Sequence, residues 1–394
     1  MQTGLVRRAT LGAFWPLFFV RLVTDVDLSP LQLVLLGTVM ELSILTAEVP
    51  TGIVADLYSR KWSVIAAFVL GGPAIVASAL VENYWGLVVV QSIIGIAATF
   101  ESGAETAWVT DELSSSAKAE PLILRRAQWQ LGATVVGVLG FAALASVATL
   151  TTALVILGMV YTLWGVGLIQ RMPESSFQRD ENGGWSGFAN MLRRGWSLSS
   201  GTRALRILVV VIFIGGLAKE AIDRLDVQRL VDVGLPEDLN EALVIGVVVA
   251  ARSSFAAAAL VVARRRATGR SVVVAVAGLL FGVATGVLVL AHVEMLAIAA
   301  LGLIVQGGLL LSSVPLVTTW TNNFAPSQAR ATVHSFIGQA EAFGEILGGI
   351  VLGAVAEILT VPTAMTVSAL LFALAGVMAL TARATWDTSI EDVR

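Results

Sequence analysis

The stretch Gly52-Ile53-Val54-Ala55-Asp56-Leu57-Tyr58-Ser59-Arg60-Lys61 places a compact group of charges between two long apolar runs. Charged side chains are costly inside hydrocarbon, so such a stretch belongs at a membrane surface. We therefore predict a charged surface turn at residues 52–61, joining two helices that cross a membrane.

The composition of the whole chain agrees with a membrane protein. Of its 394 residues, 56% are hydrophobic and only 13% are charged, whereas soluble domains carry roughly a quarter of charged residues. Apolar runs of about 20 residues recur, which is the length that a helix needs to cross a bilayer. Strands of a membrane barrel would instead be about 10 residues of strict alternation. The sequence therefore predicts an all-α membrane protein.

Several chemistries are excluded by the residues that the chain lacks. It has no cysteine and only two histidines, far apart in sequence, which argues against thiol catalysis, disulfides and a metal site. We find neither a nucleophile–base set nor a Gly-rich phosphate loop followed by Lys and Ser or Thr. The net charge of −3 gives no indication of nucleic acid. We predict no enzyme activity and no cofactor.

The apolar runs divide the chain into twelve predicted spans in two sets of six. The spans are 5–27, 31–53, 62–81, 85–109, 125–148, 151–170, 205–226, 241–263, 271–291, 295–318, 332–357 and 362–382. We expect an N-terminal six-helix bundle at 1–170, a cytoplasmic linker at 171–204, a second bundle at 205–383 and a tail at 384–394. A polar loop is expected at 111–121.

The linker has its own pattern. Trp185, Phe188, Met191, Leu192 and Trp196 recur at helical spacing. This pattern favours a short helix in the membrane interface, and a merely solvated linker is the alternative.

The two sets of spans are related by a repeat. The Val26-Asp-Leu-Ser-Pro30 motif before the second span has its counterpart 207 residues later, at Val233-Gly-Leu-Pro-Glu237. A second matching pair, Ser63-Val64 and Ser271-Val272, is offset by 208 residues. A steady offset indicates duplicated six-helix halves, one of the repeat plans of secondary transporters. We therefore predict two pseudo-symmetric bundles.

The basic residues predict the orientation. With both termini in the cytoplasm, twenty of the 25 basic residues fall on the cytoplasmic side, as the positive-inside rule requires. Arg224 and Arg229 are then expected in an outer loop.

Ionisable residues inside spans are the functional candidates, because they are costly unless paired or facing water. The candidates for proton coupling or for the substrate cavity are Arg21, Asp25, Glu41, Glu48, Glu101, Glu105, Arg252, Glu341 and Glu345. Burial disfavours the ionised form of a carboxyl group, so such a group can exchange a proton when its exposure changes. The alternative is that each carboxylate is held by a basic or hydroxyl partner on a neighbouring helix.

Some of these charges have possible partners on their own helix at i,i+4 spacing. Lys219 with Asp223, and Glu220 with Arg224, are expected to form two structural ion pairs near the outer surface. Arg21 and Asp25 repeat this spacing. Arg252 either grips an anionic substrate group or neutralises one of the glutamates.

The 52–61 stretch resembles the loop after the second helix of the major facilitator superfamily. Gly52, Asp56, Arg60 and Lys61 stand where the motif of that family places them. Leu57 replaces a usual basic residue, and Ser59 replaces a usual glycine. The resemblance implies two six-helix bundles that alternate access to a central cavity, and a conformational gate at the matched residues. Asp56 would act as a latch at the start of the eleventh span, near residues 331–334. Further along the same span, Gly344, Gly348, Gly349 and Gly353 allow close helix packing.

Within the superfamily, the chain is similar to bacterial efflux-type members. This similarity rests on the residues Glu48-Val-Pro-Thr-Gly52 and Ser102-Gly103, followed by Ala107-Trp108 and Asp111-Glu112. Two features of proton-coupled members are missing, because Gln91 stands where an arginine is usual and the fifth span lacks a Gly-Pro motif.

The resemblance implies a monomeric, proton-driven exporter of small amphipathic compounds in the bacterial plasma (inner) membrane, contacting membrane lipid. Uptake or export of a single metabolite, anionic if Arg252 grips it, is one alternative. A non-transporting membrane receptor or assembly partner is the other.

Overall fold

The computed structural model describes residues 2–101, 104–112, 116–175, 177, 185–266, 269, 271–326 and 330–384. Every regular element in these residues is an α-helix. The helices are α1 Gln2–Thr24, α2 Pro30–Leu57, α3 Arg60–Leu80, α4 Tyr84–Glu101, α5 Ala104–Glu112, α6 Ser116–Val147, α7 Leu150–Arg171, α8 Trp185–Gly201, α9 Arg203–Val233, α10 Glu241–Arg266, α11 Ser271–His292, α12 Leu296–Phe324, α13 Arg330–Ile358 and α14 Val361–Ala384.

Twelve of the helices in the described chain have 18 residues or more, since only α5 and α8 are shorter. Nine of the twelve are long and apolar enough to cross a membrane by length and composition. The three others are α1, α9 and α13, which carry several charged residues among their apolar ones. The predicted all-α membrane fold with twelve long helices is confirmed.

The chain divides into two compact units. The first consists of Met1–Leu28, Val39–Phe188 and Pro236–Ala250, and the second of Ser29–Thr38, Ala189–Leu235 and Ala251–Arg394. In the first unit α3 packs against α7, and α1 against α6. In the second unit α11 lies between α12 and α14, while α9 packs along α13 and α14.

The charged turn at residues 52–61 is much shorter than we predict from the sequence. Residues 52–57 continue α2, Arg60 begins α3, and only Tyr58 and Ser59 are non-helical. Ser59 has extended backbone, and its hydroxyl accepts a hydrogen bond from the Trp62 backbone N–H at 3.0 Å. Because this N-cap satisfies one of the free donors at the start of α3, the chain reverses in two residues.

Two further boundaries differ from the prediction. The expected loop at 111–121 is mostly helical, since α5 ends at Glu112 and α6 begins at Ser116. The expected first span at 5–27 ends earlier, because α1 stops at Thr24 and leaves Asp25 outside the helix. At 111–121 the polar composition marked a change of environment, which is not the same as a change of backbone conformation.

The helix predicted in the linker is present as α8. Its C-terminal part packs on α13 in the second unit, because Gly195 lies directly against Phe336. Trp196 makes an edge-to-face contact with the same ring, with the two ring centroids 6.3 Å apart. Arg193 and Arg194 remain exposed.

Candidate functional site

The second half of α9 carries a row of charged residues. They are Lys219, Glu220, Asp223, Arg224, Asp226, Arg229 and Asp232. The helix continues to Gly234, whose positive φ of 100° ends it, a conformation that glycine adopts without strain. The prediction that Arg224 and Arg229 lie in an outer loop is therefore wrong. Both are helical and nearly fully buried.

Lys219 lies opposite two carboxylates of α13. Its ammonium is 2.6 Å from Glu345 Oε1 and 3.6 Å from Glu341 Oε1. The side chain of Glu345 is only 8% exposed, whereas that of Glu341 is 43% exposed. Asp223, the partner predicted on the same helix, also interacts electrostatically with Lys219, but the direct contacts of the ammonium are with α13. Two predicted functional glutamates are brought together at one ammonium.

Glycines bring α9 and α13 close enough for these contacts. A Cβ atom added at Gly344 or Gly348 would overlap the backbone of Phe213 or Leu217, and one at Gly216 would overlap the backbone of Glu341. Small residues at a helix interface allow this close approach. The predicted tight packing along α13 is present.

Directly after Lys219 on α9, Glu220 forms with Arg224 the ion pair that the spacing predicts. The Arg224 Nε atom donates to Glu220 Oε1 at 3.0 Å, and both side chains are almost fully buried. Gly37 of α2 lies against both side chains, in the second unit. Because each charge compensates the other, burial of the pair is tolerated.

Arg252 of α10 lies near Asp226, a residue that the sequence analysis did not select. The Arg252 Nη1 atom is 3.7 Å from Asp226 Oδ2. The Arg252 Nε atom is buried and has no hydrogen-bond partner. Gly307 of α12 packs on the arginine side chain. Asp226 lies three residues after Asp223, on the next turn of α9 and on the same side of the helix. This spacing could have identified Asp226 as a further candidate residue from the sequence.

Arg229 is also satisfied within the second unit. Its Nε atom donates to the Leu290 backbone oxygen at 3.2 Å, and its Nη2 atom donates to Glu294 at 2.8 Å. Because of these contacts, Arg229 is buried where α9 meets α11 and is not solvated in a loop.

In the first unit, Arg7 lies between two predicted functional glutamates. Its Nη1 atom donates to Glu101 Oε2 at 2.7 Å, and its Nη2 atom lies 3.9 Å from Glu105 Oε2. Both glutamates are more than 90% buried. Arg7 was not among the candidates chosen from the sequence, so this contact was missed. Glu105 also lines a cleft of about 370 Å³ together with Trp108, Trp164 and Arg171.

The gate residues form a local network around the short turn. Asp56 Oδ1 lies 3.8 Å from Arg60 Nη2. Glu174, which follows α7, accepts hydrogen bonds from the Ser59 hydroxyl at 2.6 Å and from the Lys61 backbone N–H at 2.9 Å. Gly52 has open space where a Cβ atom would lie. The contact of Asp56 with the start of α13 stays a prediction.

The remaining candidates are Arg21, Asp25, Glu41 and Glu48. Glu41 and Glu48 are partly buried on α2. Arg21 is 3% exposed, and its Nε and Nη1 atoms have no hydrogen-bond partner. Asp25 is exposed and accepts a hydrogen bond from the Thr24 hydroxyl at 3.1 Å. Among the described residues, the i,i+4 spacing of Arg21 and Asp25 does not produce a direct ion pair.

Comparison with known proteins identifies the family. The sequence matches the profile of the Major Facilitator Superfamily over residues 3–222. The chain belongs to this superfamily. It is a multi-pass membrane transporter of the major facilitator type, and the resemblance seen in residues 52–61 is confirmed at the family level. No curated protein sequence matches the chain.

Solved transporters share the fold over almost the whole chain. A single-residue mutant of the nucleoside transporter NupG is 12% identical, with a TM-score of 0.75 over 98% of both chains. A mutant of the peptide transporter POT is 12% identical, with a TM-score of 0.73 over 100% of this chain and 94% of that one. A bacterial homologue of the human lysosomal transporter Spinster is 15% identical, with a TM-score of 0.68 over 99% and 97%. These likenesses show the fold.

Proposed function

We propose that the chain is a proton-coupled exporter of small amphipathic compounds that works by alternating access. The observation that carries the proposal is the single ammonium of Lys219 facing the carboxylates of both Glu341 and Glu345. Two carboxylates that lie beside the same ammonium repel each other, which raises the free energy of the state in which both are ionised. Proton binding to one carboxylate relieves this repulsion.

The positions of the two glutamates give them different roles in this proposal. Glu345 is buried against Lys219, so we assign it the proton-coupling role. Glu341 is more exposed, so it compensates Lys219 when Glu345 is protonated. A change in the solvent access of this cluster would then load or release one proton, which is what coupling to a proton gradient requires.

The proposed substrates are neutral or cationic. The cleft in the first unit combines the apolar surface of two indole rings with the Glu105 carboxylate, and Arg171 also lines it. An organic cation gains from both, because aromatic faces attract cations. Export from the cytoplasm follows from the resemblance to efflux-type members. In this proposal the protein lies in a bacterial plasma membrane, with both termini in the cytoplasm.

One observation favours a second candidate, transport of a single anionic metabolite. The Arg252 Nε atom is buried without a hydrogen-bond partner, and the Asp226 carboxylate is 3.7 Å from Nη1. A guanidinium that is only loosely held can bind a carboxylate or phosphate in bidentate geometry. Normal transport of anions by Arg252→Ala would exclude this role for Arg252.

Transport assays in proteoliposomes would test the proposal. Lipophilic cations and organic anions are offered in parallel, with and without an imposed pH gradient. We expect cation transport that is lost when the gradient is collapsed. Transport that does not respond to the gradient would exclude proton coupling, and no transport of any compound would favour a receptor or assembly role.

A further inference from the structure

A groove lies at the beginning of α9, where this helix meets α14. It has a volume of about 420 Å³ and is lined by Arg203, Arg206, Ile207, Val210 and Met378. All of these residues belong to the second unit. The groove is remote in sequence from the charged second half of α9, so it is not part of the site described above.

One end of the groove is strongly positive. Arg203 and Arg206 are exposed, and neither has an ion pair with another described residue. They are the first and fourth residues of α9, whose N-cap is Thr202. Free backbone N–H groups and the helix dipole add positive potential at this position. The two guanidinium groups therefore provide an anion-binding end that no acidic side chain of the described protein fills.

The other end of the groove is apolar and continues along α14. Val210 is 39% exposed beside Met378. Leu370, Leu374 and Val377 form an exposed apolar stripe on α14 at helical spacing, with exposed fractions of 62%, 47% and 52%. Such a stripe on a membrane helix contacts lipid chains. The positive end and the apolar stripe thus lie on neighbouring parts of the same surface.

We propose that this groove binds an anionic phospholipid of the cytoplasmic leaflet. The phosphate group lies between Arg203 and Arg206, and an acyl chain follows Met378 and the apolar stripe. Basic residues next to a membrane attract anionic lipids. Arg193 and Arg194 of α8, which precede the groove residues in the chain, are also exposed. The apolar wall favours a lipid over free phosphate, which has no acyl chain to contact it.

The test is lipid binding to the purified full-length protein in detergent, followed by native mass spectrometry. Phosphatidylglycerol and phosphatidylcholine are titrated in parallel. We expect tighter binding of phosphatidylglycerol to the wild type, and roughly thirtyfold weaker binding to the double variant Arg203→Ala/Arg206→Ala, because two basic residues are lost. The double variant Arg203→Lys/Arg206→Lys keeps the charge and should retain most of the affinity.

Two controls separate this site from general effects. Arg330→Ala removes an exposed arginine outside the groove and should leave phosphatidylglycerol binding unchanged. Inorganic phosphate should compete only at concentrations far above those of the lipid. Equal binding of the two lipids, or unchanged binding by the double alanine variant, would overturn the proposal. Equally effective competition by inorganic phosphate would also overturn it, by showing a simple anion site. Transport does not enter this measurement, so its outcome is independent of the proposed function.

Discussion

Glu345 is the residue whose chemistry decides whether proton coupling works as proposed. Its carboxylate lies 2.6 Å from the Lys219 ammonium and is almost completely buried. Glu345→Gln keeps the size of the side chain but removes its ability to bind and release a proton. We expect gradient-driven transport to fall at least tenfold, measured as initial rates in proteoliposomes, as is common when a proton-transfer group is lost.

A matched control for this substitution is Glu241→Gln. Glu241 is an exposed residue in the first turn of α10, where its loss should change the transport rate by less than about twofold. Full gradient-driven transport by Glu345→Gln would remove this residue from the coupling role.

Ser59 shows how one residue can shorten a turn. Its hydroxyl caps α3 and also donates to the Glu174 carboxylate at 2.6 Å. We expect Ser59→Ala to lower the free energy of unfolding by about 1–2 kcal/mol, because an N-cap and a hydrogen bond to a charged group are both lost. Unfolding in detergent can measure this change.

Thr46→Ala provides the comparison for Ser59. The Thr46 hydroxyl is exposed and bonds only to backbone oxygens of its own helix, so its removal should cost well under 1 kcal/mol. Equal stability of the wild type and Ser59→Ala would show that the cap is not important for the turn.

The sequence identified the buried carboxylates better than it identified their partners. Glu101, Glu105, Glu341 and Glu345 are recognisable because acidic residues are rare in apolar spans. Their partners are long basic side chains that reach other helices, and spacing along one helix does not reveal such contacts. Lys219 was therefore assigned to an ion pair on its own helix, and Arg7 was not selected.

At the scale of helices, the close packing of α9 against α13 sets the position of Lys219. Gly344 and Gly348 allow this packing because a Cβ atom at either would overlap backbone atoms of α9. We expect Gly344→Ala and Gly348→Ala each to destabilise the protein by about 1–3 kcal/mol, the usual cost of overpacking. The free energy of unfolding in detergent is the measurement.

Gly338 is the matched control on the same helix. A Cβ atom at Gly338 meets nothing within 4 Å, so Gly338→Ala should be neutral or stabilise α13 by up to about 1 kcal/mol. Similar destabilisation by all three substitutions would indicate that helix contacts at Gly344 and Gly348 are not the cause.

Helix number was predictable and helix length was less so. Apolar run length is set by bilayer thickness, which gave twelve long helices. The ends of α2 and α9 were missed because both helices continue through charged residues. Asp56 of α2 is 43% exposed beside Arg60, and Arg224 of α9 is neutralised by Glu220. Charge marks a boundary of environment, whereas a cap such as Ser59 or Gly234 marks the end of a helix.

For the whole molecule, the predicted orientation can be tested directly because the chain contains no cysteine. Tyr58→Cys introduces a thiol at the exposed α2–α3 turn, and Glu237→Cys introduces one before α10. In intact cells, a membrane-impermeant thiol reagent should label Glu237→Cys at least tenfold more than Tyr58→Cys. Cell lysis should make both labelling levels equal. The reverse preference in intact cells would place both termini outside.

The central claim is that movement of substrate moves protons through the Lys219 and Glu345 pair. The direct measurement is the internal pH of proteoliposomes, followed with a trapped dye, when a transported cation is added without any imposed gradient. The account predicts a substrate-dependent pH change for the wild type and none for Glu345→Gln. Substrate transport by the wild type with no pH change, or an undiminished pH change in Glu345→Gln, would contradict it.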